Sequence, residues 1–360
     1  MTTTADFGER AVTDGLSEAL AGYRGGAFDR DSWRQLAAGG WLHMLADGAA
    51  GPAAGELTRL IAPMEQWGAA LPAGPVLLTL AWVLPVLRAA GAEQLARDIS
   101  GGLVVTATRE LTSADSCPTV RAATDDGGWR LSGLARLVPW LPDADVVLVA
   151  AAGPGGAGLV AAVPVAGQGV RCGADVTIDP GVSIGDLVLD GARTATVIEA
   201  DGAVLRAAAA MYSLALDAQA VGGAAELIAR TVRYVTGRHQ FGQPVGSFQA
   251  IRHRLADMVT ATESARALLA LAAERLAARP LDPPWEDVDA SRVSCGDAFR
   301  AVAADAIQCF GGMGFTWEEG VHLYYRRALV AGSLLGDVEA AARRLVRCGL
   351  TWPAAAGGQR

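Results

Sequence analysis

The sequence of 360 residues contains no lysine, so its 30 basic side chains are all arginines. They stand against 38 aspartates and glutamates, which gives a formal net charge of −8. Proteins that bind nucleic acid use a basic surface to neutralise phosphates and release their counterions. No basic stripe is visible along this chain. We therefore predict that nucleic acid is not one of its ligands.

Cysteine and histidine are scarce, and neither residue is clustered. Structural zinc sites need closely spaced cysteines and histidines, and secreted disulfide frameworks need cysteines in pairs. The four histidines are scattered and the cysteines form no CxxC pair. We predict that the chain holds no metal and that its cysteines are reduced. The five cysteines are Cys117, Cys172, Cys295, Cys309 and Cys348.

Long hydrophobic runs are also missing. The longest apolar stretch extends from Val76 to Leu87, is interrupted by Pro85 and is too short to span a bilayer. The N-terminal residues do not show the charged and then apolar pattern of a secretory leader. We therefore expect a soluble, cytoplasmic protein without a membrane segment.

Apolar residues make up 51% of the chain and charged residues 19%, a composition typical of folded proteins with large cores. Helical periodicity fills the first and last thirds, and short β-rich runs separated by glycine turns fill the middle. We predict an N-terminal helical domain at 1–101, a β domain at 102–200 and a C-terminal helical bundle at 201–360, with a break at 279–284. Strands and helices do not alternate, which argues against a doubly wound parallel sheet.

Two segments of the last third combine arginine, glutamine and glycine at predicted helix ends. The first is YVTGRHQFGQPVGSFQAIRHRLADM, from Tyr234 to Met258, and the second is AIQCFGGMGFTWE, from Ala306 to Glu318. A guanidinium can hold phosphate oxygens with two hydrogen bonds and does not titrate. Glycines allow a ligand to approach the backbone closely. Any one of these residues has an ordinary structural explanation, and it is their joint spacing that indicates a binding site.

The first segment resembles the R-x-Q-F-G...F-Q signature of the acyl-CoA dehydrogenases, and the second resembles the Q-x-x-G-G-x-G turn of the same family. The similarity extends over most of the chain. It implies a mainly α fold with a barrel-like central β domain and a C-terminal four-helix bundle, and FAD bound between subunits. The FAD contacts that the resemblance implies are Arg238, Gln240, Phe241, Gln249, Gln308, Gly311 and Gly312.

The carboxylate base of the family is missing from this chain. The resemblance implies removal of a proton beside a thioester carbonyl together with hydride transfer to flavin, and this needs a carboxylate. Leu335 occupies the usual glutamate position, and Tyr212 occupies the position used by other branches of the family. Tyrosine, with an ordinary pKa of about 10, is a poor base near neutral pH. Asp217 lies on another face of the same predicted helix and is a fallback candidate.

The β domain departs from the family pattern as well. Where the family shows a T-E-P stretch and a W-I-T-like stretch against the flavin ring, this chain has TATREL, from Thr106 to Leu111, and LVPW, from Leu137 to Trp140. The backbone of Pro139 has no N–H and cannot donate a hydrogen bond to flavin. The flavin-ring side of the site is therefore expected to be degraded.

In this family one subunit holds the flavin ring and supplies the base, and its neighbour holds the rest of FAD. The chain keeps the second set of residues. It resembles the base-lacking subunit of actinobacterial α2β2 acyl-CoA dehydrogenases, which implies a heterotetramer with a homologous catalytic subunit and an acyl-CoA substrate, such as a steroid side-chain thioester. The alternatives are a homo-oligomeric flavoenzyme that uses Asp217 or Tyr212, and a paralogue with a binding or structural role. An unrelated helical scaffold would require both motifs to be accidental.

Overall fold

The structure is a computed structural model that describes residues 26–43, 54–112, 117–125, 128–156, 158–194, 196–199 and 201–348. Parts of the expected N-terminal domain, residues 1–25 and 44–53, lie outside the described residues. The apolar stretch identified in the sequence forms buried helix in this region, with a π-helical turn at Thr79–Val83 whose side chains are all buried. The helices are α1 (Arg30–Ala38), α2 (Ala54–Ala70), α3 (Val76–Leu78), α4 (Leu84–Ala89) and α5 (Glu93–Ser100).

The central region is a curved, mostly antiparallel sheet with the strand order β6-β7-β3-β2-β4-β5-β8, in which β1 pairs with β4 in parallel. Side chains of β4 alternate between two hydrophobic clusters, as the period of a strand requires. Leu148 packs into the core shared with the helices, and Val147 and Val149 pack into a second core between the strands. The elements are β1 (Val105–Ala107), α6 (Arg109–Thr112), β2 (Val120–Asp125), β3 (Gly128–Pro139), β4 (Val146–Ala152), β5 (Gly158–Pro164), β6 (Val170–Cys172), β7 (Ile184–Thr194) and β8 (Val197–Ile198).

The C-terminal region is a bundle built around α7, a helix of 36 residues that packs against α2, α8 and α9. The RPLDPP segment separates α8 from α9, where the sequence predicts a break. A 3-10 turn follows α9 and a π-helical turn follows α10. The elements are α7 (Gly202–Gly237), β9 (His239–Gln240), β10 (Gln243–Pro244), α8 (Gln249–Ala278), α9 (Trp285–Phe310), α10 (Val321–Val330) and α11 (Val338–Arg347).

Glycines allow α2 and α7 to touch along their backbones. A Cβ atom at Gly222 would lie 1.8 Å from the carbonyl oxygen of Glu65, and one at Gly68 would lie 2.0 Å from that of Gln219. Both distances are far below van der Waals contact, so only glycine fits at this helix crossing. The N-terminal helices are thereby fixed against the bundle.

A buried arginine on α10 connects the three regions. Arg327 forms an ion pair with Asp179, in the loop before β7, and donates hydrogen bonds of 3.2 Å to the carbonyl oxygen of Pro72. Buried charges are stable only when they are paired and hydrogen-bonded, and this arrangement meets both conditions. The observed order of a helical region, a sheet and a helical bundle confirms the expected fold class. Over the described residues, no helix is both long enough and apolar enough to cross a membrane.

Candidate active site and cofactor half-site

The end of α7 leads into a tight hairpin that exposes an aromatic ring. The backbone N–H of Arg238 donates to the carbonyl of Tyr234, and β9 then pairs with β10. Phe241 and Gly242 form the turn with φ values of 53° and 79°, the left-handed pair expected of a type I′ hairpin. As a result the Phe241 side chain is 93% exposed.

The polar side chains around this hairpin point to solvent. Arg238 is exposed, and its guanidinium has no ion pair or hydrogen bond to any residue that the structure describes. Gln240 is exposed and donates only to the adjacent carbonyl of His239. Gln249 opens α8 and lies 3.1 Å from a ring nitrogen of His253. A permanent cation without a partner and exposed amides are available to a ligand.

The second motif forms a glycine turn beside open space. Gly311 has φ 61° and ψ −137°, a conformation that favours glycine strongly. A Cβ atom at Gly311 or at Gly312 would meet nothing within 4 Å, so this backbone borders a space that no described residue fills. Gln308 is exposed on the last turn of α9.

The structure brings the two motifs to one end of the bundle. Tyr234, one turn before Arg238, stacks on Phe310, the residue before Gly311, with ring centroids 4.1 Å apart. The Tyr234 hydroxyl also donates to the carbonyl of Phe310, at 3.4 Å. We call the seven residues that the resemblance implies as FAD contacts the half-site: Arg238, Gln240, Phe241, Gln249, Gln308, Gly311 and Gly312.

The half-site has the chemistry that FAD requires on one side. The unpaired guanidinium suits a pyrophosphate, the exposed Phe241 ring suits a flat apolar surface, and the uncovered glycines permit close approach. All seven residues are exposed, so the part of the chain that the structure describes does not enclose them. The residues present therefore fit one side of FAD.

A separate pocket of about 540 Å³ lies where the β region meets the bundle. This volume is in the range of small-molecule sites. The pocket is lined by both positions at which the resemblance places a base, Leu335 and Tyr212. Leu335 is the last residue of the π-helical turn Ala331–Leu335, and Tyr212 lies on α7. The sequence did not show that these two positions meet.

Neither residue can act as a base in this pocket. Leucine has no titratable group. Tyr212 is only 2% exposed, and burial raises its pKa above the ordinary value because the phenolate would be poorly solvated. The nearby Arg292 opposes this effect without cancelling it. Tyr212 therefore remains a protonated hydrogen-bond donor at neutral pH.

Asp217, the fallback candidate, is engaged in a buried ion pair between α7 and α9. Its carboxylate accepts hydrogen bonds from Arg292, at 2.6 Å, and from Ser291, at 2.7 Å, one at each oxygen. Its side chain has no exposed surface, and Asp217 does not line the pocket. Burial raises the pKa of Asp217 to about 6, against the lowering effect of Arg292. The geometry makes Asp217 a structural residue rather than a base.

In the segments of the β region that replace the family's flavin-ring motifs, several polar groups are hydrogen-bonded within the chain. The Thr106 hydroxyl donates to the carbonyl of Pro139 at 2.6 Å, and the Thr108 hydroxyl accepts from the N–H of Ala150. Trp140 is buried and its indole N–H donates to Gly181. The Thr106 hydroxyl and the Trp140 indole N–H are therefore already donated within the chain, whereas the Thr108 hydroxyl acts here as an acceptor. None of these three residues lines the pocket.

Several pocket residues were not identified as site residues from the sequence. Arg109, Glu110, Arg136, Trp285 and Arg344 all line it. They come from α6, β3, α9 and α11, so no spacing along the chain connects them. Arg109 and Glu110 lie within the TATREL segment. The departure of this segment from the family pattern was the one feature of the sequence that could have indicated these two pocket residues.

The comparisons with known proteins point to the same family as the two motifs of the half-site. A family model described as "Acyl-CoA dehydrogenase, C-terminal domain" matches residues 203–349. The chain is 32% identical over 345 residues to the acyl-CoA dehydrogenase FadE34 of Mycobacterium tuberculosis, covering 91% of this chain and 43% of that relative. The chain spans about two fifths of the length of the first curated relatives that it matches.

Solved structures share the fold over nearly the whole chain. The ChsE4-ChsE5 complex from Mycobacterium tuberculosis matches with a TM-score of 0.80 and 26% identity, covering 96% of this chain and 97% of the matched one. The structure described as the Tcur3481-Tcur3483 steroid ACAD matches with a TM-score of 0.80 and 25% identity, covering 96% and 98%. Together with the two motifs at one end of the bundle, these matches identify the chain as a member of the acyl-CoA dehydrogenase family.

Proposed function

We propose that the chain is a subunit of an FAD-dependent acyl-CoA dehydrogenase that forms an α,β-unsaturated acyl-CoA, and that it supplies half of a shared FAD site to a homologous catalytic subunit. One observation carries this proposal. The two positions that hold the base in the family meet in one pocket, and both are occupied by residues that cannot accept a proton, Leu335 and Tyr212.

The exposed half-site supports the shared cofactor. Arg238 would hold the pyrophosphate of FAD, Gln240, Gln249 and Gln308 would donate or accept neutral hydrogen bonds, and Phe241 would cover an apolar face of the cofactor. Exposing an aromatic ring to water without a partner is unfavourable, because its apolar area stays hydrated. A second subunit that covers Phe241 would remove that cost.

The chemistry is divided between the subunits in this proposal. FAD, when bound, supplies the acceptor for hydride from the substrate. This chain positions the cofactor through the half-site, and the partner supplies the carboxylate that takes the proton. In its own β region the Thr106 hydroxyl and the Trp140 indole N–H are already donated within the chain, and Pro139 has no N–H, so these groups offer no donor to a flavin ring.

The heteromeric assembly and the substrate class are proposed from the neighbours. One matched structure is described as a complex of two differently named chains, and another as a steroid ACAD with two named components. We propose a heterotetramer that acts on a bulky CoA thioester, such as a steroid side-chain thioester. Because one fold serves many substrates, the fold alone does not give the substrate class.

The test is a visible absorption spectrum with a native mass, recorded for the chain purified alone and after co-expression with a homologous subunit that retains the glutamate. We expect flavin absorbance and dehydrogenase activity only in the mixed oligomer. A yellow, active homo-oligomer would refute the proposal and would require a base elsewhere in this chain. A colourless mixed oligomer would instead favour a paralogue with a binding or structural role.

A further inference from the structure

The pocket around Tyr212 has walls suited to binding even though neither of its two family base positions, Leu335 and Tyr212, holds a carboxylate. Leu134, Leu216 and Trp285 contribute apolar surface beside Leu335. Ligand sites of this size are usually apolar with a few placed polar groups that fix orientation. The polar groups of the pocket therefore decide what it can hold.

Every charged residue that lines this pocket already has a partner in the chain. Glu110 accepts a hydrogen bond from the Thr119 hydroxyl, and Asp337 caps α11 by accepting from the N–H of Ala340. The three arginines are also engaged: Arg109 with the carbonyl of Ser333, Arg136 with Asp186, and Arg344 with Asp289. Each of these charged side chains is therefore already held by a hydrogen bond or an ion pair within the chain.

The hydroxyl of Tyr212 is different. It makes no hydrogen bond to any residue that the structure describes, although the side chain is 98% buried, the complement of its 2% exposure. Its oxygen is not among the fully enclosed polar atoms without a partner, so it keeps access to the pocket. The neighbouring Ser213 is only half-buried, where water can satisfy it. The Tyr212 hydroxyl is therefore a donor that faces the pocket, where a ligand oxygen that displaces water can accept its hydrogen bond.

We propose that this pocket binds an apolar ligand through a carbonyl or hydroxyl oxygen that accepts a hydrogen bond from Tyr212, and that it holds the ligand without oxidising it. The absence of oxidation rests on the proposed function, whereas the hydrogen bond rests on the geometry of Tyr212 alone. The oxygen can belong to a thioester or to the apolar body of the ligand, for example a ring ketone. Tyrosine suits this role because burial keeps it protonated, so it donates over the whole physiological pH range.

The experiment uses the full chain purified alone, because a partner subunit would add a pocket of its own. Binding of octanoyl-CoA, S-octyl-CoA and progesterone is measured by calorimetry. The first two probes differ by the thioester carbonyl oxygen, and the third carries ketones on an apolar body. The variants are Tyr212→Phe and, as a matched control outside the pocket, Tyr325→Phe, with thermal unfolding recorded for both.

We expect Tyr212→Phe to weaken binding of the probe whose oxygen is recognised by about 2- to 10-fold, the usual effect of one neutral hydrogen bond. Weaker binding of octanoyl-CoA but not of S-octyl-CoA identifies the thioester oxygen, and weaker binding of progesterone identifies a ring oxygen. Equal affinities of the wild type and Tyr212→Phe for every probe, or no binding of any probe, would overturn the proposal.

Two further readouts separate this inference from the proposed function. The bound octanoyl-CoA is recovered and its mass is measured by mass spectrometry, and we expect no loss of two hydrogens. An unsaturated product from the chain alone would refute the non-oxidising part. Flavin content of the mixed oligomer is measured independently, so a Tyr212 effect without flavin binding would count against the half-site only.

Discussion

The buried carboxyl of Asp217 gives a stability prediction whose sign follows from its surroundings. Asp217 has no exposed side-chain surface, and Arg292 is only 2% exposed. Burial raises the pKa of this carboxyl from 3.8 to about 6, since desolvation outweighs the attraction of Arg292 and the hydrogen bond from Ser291. In the unfolded chain the carboxyl returns to water and to its ordinary pKa. Folding therefore takes up a proton at this site between about pH 4 and pH 6.

The folded state binds this proton more tightly than the unfolded state, so protonation favours folding. The contribution of Asp217 to the free energy of unfolding is complete below about pH 4 and is lost as the pH rises through about 6. The difference between the pKa of 3.8 in the unfolded chain and about 6 in the folded chain corresponds to about 3 kcal/mol of unfolding free energy in total. Between about pH 7.5 and pH 4.5, integration gives about 2 kcal/mol of this change.

The Asp217→Asn side chain cannot titrate, so comparison with this variant isolates the pH-dependent contribution of Asp217 to the unfolding free energy. We expect the difference in unfolding free energy, wild type minus variant, to increase by about 2 kcal/mol in favour of the wild type as the pH falls over that range. Urea unfolding of the full chain at four pH values measures it, because other titrating groups cancel in the difference. Glu339→Gln, at an exposed carboxylate of α11, controls for the loss of one negative charge. A constant difference, or one that shifts toward the variant at low pH, would refute the reasoning.

Three other predictions concern the half-site, the base and the helix crossing. Arg238→Ala should weaken FAD binding by the mixed oligomer by about 10- to 100-fold, because a charge-assisted contact is lost, whereas Arg233→Ala, near the end of α7, should leave flavin content unchanged; equal loss in both would contradict the assignment. In a mixed oligomer whose partner has had its own glutamate replaced, Leu335→Glu should raise dehydrogenase turnover at least about 100-fold above Leu335→Gln, since only the carboxylate accepts a proton; equal rates would argue against a missing base. Gly222→Ala should lower the unfolding free energy by about 3 kcal/mol, because its Cβ would overlap the Glu65 carbonyl. Gly237→Ala is the control, since a Cβ atom there would meet nothing. Equal urea midpoints for the two variants would contradict the close helix crossing.

The order of helices, strands and helices could be predicted because each element type leaves its own period in the sequence. The proline-rich break at 279–284 falls between α8 and α9 in the structure, where a helix cannot continue. The residues of the half-site could also be named, since they are close together within two segments. Their roles in binding FAD stay predictions until flavin binding is measured.

The sequence by itself determined the family, the fold class and the absence of glutamate at position 335, because these depend on local pattern and residue identity. Only the tertiary structure decided that Leu335 and Tyr212 share a pocket and that Asp217 is paired with Arg292. It also decided that the Tyr212 hydroxyl lacks a partner within the described residues. Asp217 and Arg292 are 75 positions apart, and Tyr212 and Leu335 are further apart still, so these contacts are set by how α7, α9 and the β region pack. No periodicity along the chain records that packing.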